Sequence, residues 1–263
     1  MAPSVEGAGV ALNVVEHGSG APVLLIHGLG ADAEAMAPVA QALAGEARVI
    51  AYDRRGYGSS GAPEPYRGTT VEEQAQDAAA VLGALDPGAA VVCGDGFGAL
   101  VALDLAKRHR GLVRAAVLSD PPLFMFVPEA TERLAAQHAE LEAAVREGGP
   151  QAGVETWLAG RVDAPALERA RAAHRAFFAD YAGLASWPVT RRELRAMDVP
   201  AVVLTGPTSP AHVVAAADAL AGLLPAARRA DDGDLVAAAR SLLASSCPGA
   251  GRHPARPGSL QAP

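Results

Sequence analysis

Short runs of β-branched and apolar residues recur along the chain, separated by longer Ala-rich stretches in which apolar positions return every three or four residues. The runs have the pattern of buried strands, and the stretches that of helices laid over a sheet. Strands are predicted at Val10–Glu16, Val23–Ile26, Ala47–Tyr52, Ala90–Cys93, Val113–Leu118 and Ala201–Leu204, with a weaker one at Ala226–Arg229. Helices are predicted at Ala31–Ala44, Val71–Leu85, Gly98–His109 and His212–Leu224. Because strand and helix alternate, the fold class is α/β, with a mostly parallel sheet flanked by helices.

Across residues 121–198 the alternation lapses, and helical periodicity continues with no convincing strand. This predicts a helical cap inserted between a first core segment, residues 1–120, and a second, residues 199–245. Most of the aromatic residues fall in or beside the cap: Phe124, Phe126, Trp157, Phe177, Phe178, Tyr181 and Trp187. Aromatic side chains glue such helices together. They also line greasy pockets between a cap and a sheet, and Phe124, Phe126, Trp157 and Trp187 are the candidates for that role. Residues 246–263 have neither periodicity nor core residues and predict a disordered tail, so His253 is set aside.

Composition narrows the function classes. Half of the residues are hydrophobic and 19% charged, a globular profile. Lys and Arg number 22 against 29 Asp and Glu, a net charge of -7, which leaves no basic surface for nucleic acid. Every apolar run stops short of the roughly 20 residues a membrane helix needs, so no membrane partner is expected. Cys93 lies in an apolar run and Cys247 in the Pro/Gly-rich tail, which gives no disulfide framework, and the first residues lack a secretory signal. A cytoplasmic protein is expected. Cys and His do not cluster at metal-ligand spacing, and Gly94-x-Gly96-x-Gly98 is not a dinucleotide fingerprint, so neither metal nor cofactor is predicted. The string Asp231-Asp232-Gly233-Asp234 is read as a solvated turn.

Four stretches in order carry a likeness: VLLIHGLG (Val23 to Gly30), VIAYDRRGYGSS (Val49 to Ser60), VVCGDGFGAL (Val91 to Leu100) and VPAVVLTGPTSP (Val199 to Pro210). Together they resemble the α/β-hydrolase superfamily, from about Ala8 to Leu243. In that family the turn G-x-S-x-G presents a nucleophile at its centre. Here the turn reads Gly94-Asp95-Gly96-Phe97-Gly98, so Gly96 stands in the nucleophile register with no side chain to attack with. A register shifted to Asp95 would need glycines where Cys93 and Phe97 stand. The resemblance places the acid and His of a triad after the strand Ala201–Leu204 and after the last strand. Those loops hold Gly206-Pro207-Thr208-Ser209-Pro210 and the acidic string instead. Some relatives keep the acid one strand earlier, which makes Asp120 a candidate, and His212 follows the Ser209 loop.

The resemblance further implies an oxyanion hole made by the N–H groups of Leu29 and Phe97. Such donors stabilise a charged oxygen whether or not a covalent adduct forms. His27 is read as a structural residue of this loop rather than a base, and as a candidate for substrate contact; Asp53 and Arg54 are read as loop-fixing residues below the pocket. The expected function is an atypical, non-hydrolytic enzyme on this fold: an isomerase or epimerase, a cyclase or a lyase. Its substrate would be a hydrophobic small molecule or modified peptide held between cap and core, with Asp95, Asp120 and His212 as proton-transfer candidates. In what it lacks, the chain is similar to non-hydrolytic natural-product maturation enzymes such as the bottromycin-type peptide epimerase. The alternatives are a catalytically silent pseudo-hydrolase that binds a ligand or partner, and an ordinary ester or amide hydrolase using a nucleophile such as Ser119 or Ser209.

Overall fold

The computed structural model describes residues 4–184 and 187–245. The predicted tail, with Cys247 and His253, lies outside the described residues. The first half of the chain forms β1 (Ser4–Glu6), β2 (Ala11–His17), β3 (Ala21–Ile26), α1 (Ala37–Leu43), β4 (Ala47–Tyr52) and α2 (Val71–Leu85). Then follow β5 (Ala90–Asp95), α3 (Phe97–Arg108) and β6 (Val113–Ser119). After a helical stretch come β7 (Ala201–Leu204), a helix over Ala211–Ala221, β8 (Ala227–Ala230) and a last helix over Leu235–Ser245.

The strands make one sheet in the order β1-β2-β4-β3-β5-β6-β7-β8. Its first two pairings are antiparallel and the remaining five are parallel. Side chains alternate across each strand: Val23 and Leu25 of β3 pack with α1 and the last helix, whereas Leu24 and Ile26 pack with α2 and α3. Helix α3 is buried without interruption from Phe97 to Ala106, as an apolar helix beside the central strand must be.

The predicted strands and three of the four predicted helices form close to their expected limits. The stretch Ala31–Ala44 instead opens with a 3-10 turn at Glu34–Met36, and α1 begins at Ala37 with Pro38 in its first turn, where a missing N–H is harmless. Two elements escaped the sequence reading. Strand β1 is a three-residue edge piece too short to show a pattern. The helix Leu235–Ser245 is started by Asp234, whose carboxylate accepts from Ala237 N at 2.8 Å. The acidic string is therefore in part a helix cap.

Between β6 and β7 the described residues form α4 (Thr131–Leu158), α5 (Ala164–Ala172), α6 (His174–Leu184) and α7 (Arg191–Arg195), with short 3-10 turns before them. Helix α4 breaks at Gly149, whose φ of 82° leads into Pro150. Leu141, Val154, Leu158, Ala170 and Phe177 give this insertion a small core of its own. Trp187, Val189 and Leu194 pack instead into the main core under the sheet. With β7 and β8 in place, we number the two remaining helices α8 (Ala211–Ala221) and α9 (Leu235–Ser245).

Candidate functional site

The site lies where β5 turns into α3. One residue separates the elements, and Gly96 makes the turn with φ 51° and ψ −115°. A Cβ on Gly94 would collide with the Gly98 carbonyl, and one on Gly98 with the Ile26 carbonyl. A Cβ on Gly96 would meet only the Gly28 Cα, at 3.9 Å. The flanking glycines are thus sterically required, whereas the central one leaves open space. Asp95 ends the strand without left-handed backbone, so the bend belongs to Gly96 and not to Asp95.

With Gly96 as N-cap, α3 starts without a side-chain cap. Its first N–H, on Phe97, has no acceptor among the described residues, as expected of an uncapped helix start. The Leu29 N–H also has none among them. Its direction follows from a clamp. Arg54 Nη2 donates to the Gly28 carbonyl at 2.8 Å and Arg54 Nε to the His27 carbonyl at 3.0 Å. The Gly28 C=O and the Leu29 N–H lie on opposite edges of one planar peptide, so holding the oxygen toward Arg54 turns the N–H away from it.

Arg54 is itself held by the insertion. It pairs with Asp180 of α6 at 2.7 Å, and both side chains are fully buried. Tyr57 donates to the same carboxylate at 2.8 Å and Gln74 at 2.6 Å. His27, a candidate for substrate contact, is fully buried. Its Nε2 accepts from Arg54 N at 3.0 Å and its Nδ1 lies 3.0 Å from the Gly28 carbonyl. Burial first, and then the Arg54 charge, hold its pKa well below the ordinary value, so the ring is neutral with its proton on Nδ1. Both nitrogens are spent on backbone. His27 fixes the loop and has no atom left for substrate.

Two carboxylates stand beside the bend, each with a hydroxyl. Ser119 Oγ donates to Asp95 Oδ1 at 3.0 Å, and Ser209 Oγ to Asp120 Oδ1 at 2.6 Å. Burial raises the Asp95 pKa; the Ser119 hydroxyl opposes this, and the Asp120 charge adds to it. Asp120 has φ 44°, one of two non-glycine residues with positive φ among those described. Such strain persists only where the surroundings over-determine it, and it concentrates at functional positions. The neighbouring Cys93 is fully buried, and burial pushes its thiol up to about 12, so it is inert as a nucleophile.

His212 is not brought to the carboxylates. Its ring packs against Phe124 with centroids 5.3 Å apart, and no hydrogen bond joins it to Asp95 or Asp120 among the described residues. Phe124, Trp157 and Trp187 do come together, lining an apolar cavity of about 620 Å³ with Leu123, Leu134 and Tyr181. Trp187 donates its indole N–H to Asp104 at 2.9 Å and offers only its ring face. Phe126 lies elsewhere, under the Arg191 guanidinium at 4.5 Å. Gly96, Leu29 and Phe97 are not on this cavity's wall, which reaches the bend only through Leu100, one helical turn into α3.

The sequence reading missed Asp180, which lies more than a hundred residues from its partners. It also missed Gln137, a buried amide on the cavity wall. Gln137 had a signal: it interrupts the apolar stripe of Leu134 and Leu141 on α4. Among the described residues no group of three or more His, Cys, Asp or Glu converges to hold a metal, and no helix is long and apolar enough to cross a membrane.

The sheet order, the glycine-framed bend and the paired amides define a class, and a family model for the alpha/beta hydrolase fold matches residues 21–232: the chain belongs to that family. An uncharacterized hydrolase of Bacillus subtilis, YraK, is 36% identical over 123 residues, 47% of this chain and 45% of the relative. A 2-(acetamidomethylene)succinate hydrolase of Mesorhizobium japonicum is 33% identical over 153 residues, 58% of this chain and 52% of the relative. The chain therefore spans about half the length of the curated relatives it matches. Among solved structures, an alpha/beta hydrolase from Sphaerobacter thermophilus matches with a TM-score of 0.70 at 27% identity, over 87% of this chain and 91% of its own.

Proposed function

We propose that this chain is a non-hydrolytic member of its family, lacking the Ser-acid-His triad, that moves a proton on a carbonyl compound held between the helical insertion, acting as a cap, and the sheet. The observation that carries the reading is the empty bend: Gly96 keeps a nucleophile's backbone with no nucleophile, opposite two unpaired N–H groups. Donors fixed in this way stabilise an oxygen on which charge develops. In the step we propose, Asp120 takes a proton from the carbon next to the carbonyl. The electron pair moves to the carbonyl oxygen, which the Leu29 and Phe97 N–H groups hold as an enolate. Asp95, with its raised pKa, returns a proton to carbon or to a leaving group. Isomerisation, epimerisation, cyclisation and elimination all share this step.

The test follows deuterium from solvent into an N-decanoyl-alanine thioester, which offers both an acidic carbon and a cleavable ester. Wild type is expected to exchange the α-proton faster than it cleaves the thioester, and Asp120→Asn to lower exchange by about 100-fold, the usual scale of acid–base catalysis. Gly96→Ser is expected to cleave at background, because no base stands ready for the new hydroxyl. Absence of exchange with the probe bound would sink the proposal and leave a silent ligand-binding protein.

The relatives are named as hydrolases, and the two Ser–Asp pairs favour a second reading, ester or amide hydrolysis with Ser119 or Ser209 as nucleophile. That reading predicts thioester cleavage which Ser119→Ala or Ser209→Ala abolishes.

A further inference from the structure

A second cavity of about 470 Å³ adjoins the apolar one, between the start of α4 and the start of α8. Gln137 is on the wall of both. The two cavities differ in chemistry. The first has aromatic and aliphatic walls, while the second carries Arg133, Arg161, His212 and Glu129. Two guanidinium groups against one carboxylate make a local positive excess on a chain whose net charge is -7.

Neither arginine is held by a close ion pair among the described residues. Arg161 lies 5.6 Å from the Trp157 ring and makes no ion pair among the described residues. Arg133 reaches Glu140 only at 3.8 Å, with both side chains more than half exposed, a contact of little worth. Both face His212: burial first, then the charges of Arg133 and Arg161, lower its pKa. Gln137 supplies the independent observation. It is 9% exposed, its amide makes no hydrogen bond among the described residues, and it is not one of their fully buried unpaired groups, so it opens onto the cavities. An amide on a cavity wall with no partner in the fold is free to hydrogen-bond a ligand's polar group.

We propose that the two cavities together hold an amphipathic organic anion, its apolar body against Trp157 and Phe124, its carboxylate-like group between Arg133 and Arg161, and the Gln137 amide at the junction. This is a ligand site beside the bend: neither cavity's wall includes Leu29, Asp95, Phe97 or Asp120, so the inference does not rest on the proposed function. A neutral apolar ligand would leave Gln137 and both arginines without purpose, and a cationic one would be repelled. The apolar cavity lies within the range of about 300–1,000 Å³ usual for small-molecule sites.

The experiment titrates the full chain with decanoate, decanol and decyltrimethylammonium. The chain's two tryptophans, Trp157 and Trp187, both line the apolar cavity, so their emission reports binding. Decanoate is expected to bind about 10-fold more tightly than decanol, on the scale of charge-assisted hydrogen bonds, and decyltrimethylammonium more weakly than either. The double variant Arg133→Ala, Arg161→Ala should bring decanoate and decanol to parity while keeping its fold by circular dichroism. Gln137→Leu should weaken decanoate and leave decanol unchanged or improved. Equal affinities in wild type, a preference that survives the double variant, or no binding of decanoate would each overturn the inference. Decanoate preference without deuterium exchange would overturn the proposed function alone; exchange without anion preference would overturn this inference alone.

Discussion

Gly94, Gly96 and Gly98 look alike in the sequence, yet their reasons differ. The outer two exist because any side chain would strike a carbonyl, and such constraints are legible from a G-x-x-x-G frame around a strand–helix turn. The central one is free of collision, but its φ of 51° is a backbone that side chains rarely adopt, so glycine relieves strain there as well as leaving the bend without a nucleophile. The pairings of Asp95 with Ser119 and of Asp120 with Ser209 were not legible, because each joins residues from different strands or loops. Asp95 carries a test of its own. Its folded pKa stands above the unfolded value of about 3.9. Between those two values the folded chain binds more protons than the unfolded chain, so stability falls as pH rises through that window and stays lower above it. Asp95→Asn removes this loss and keeps an oxygen for Ser119. The variant should melt above wild type at neutral pH, with the gap closing as pH falls toward about 4. Thermal unfolding followed by circular dichroism across that range is the measurement; a variant less stable by the same margin at every pH contradicts the assignment. A carboxyl kept at a cost in stability is what the proposed proton transfer would require.

At the scale of elements, the strands and three of the four predicted helices were read to within three residues, and α9 was missed because its capping Asp234 was taken as part of a loop. What no local pattern announced is the link between the insertion and the bend. Asp180 on α6 holds Arg54, Arg54 holds the Gly28 carbonyl, and that carbonyl aims the Leu29 N–H. The position of α6 and the direction of the Leu29 N–H are therefore linked through one buried ion pair. Asp180→Ala leaves a desolvated guanidinium unpaired and should lower stability by about 3–5 kcal/mol. An exposed helix cap such as Thr190→Ala, by contrast, should cost about 1 kcal/mol. Urea unfolding of the two variants separates them, and a loss at Asp180 no larger than at Thr190 would mean that the clamp does not hold the loop.

For the whole molecule, family membership and mechanism come apart. The alpha/beta hydrolase fold was legible from four ordered motifs because each marks a strand end where glycines or small loops are sterically needed. The fold alone does not say which reaction occurs; in our account that is decided by what stands at one bend. The most direct test is intact-mass spectrometry of the wild-type chain after incubation with a serine-directed fluorophosphonate. The account predicts an unmodified mass, since Gly96 offers no hydroxyl and Ser119 and Ser209 are tied to carboxylates without a histidine. A stoichiometric phosphonyl adduct on Ser119 or Ser209, lost when that serine is replaced by alanine, would contradict it.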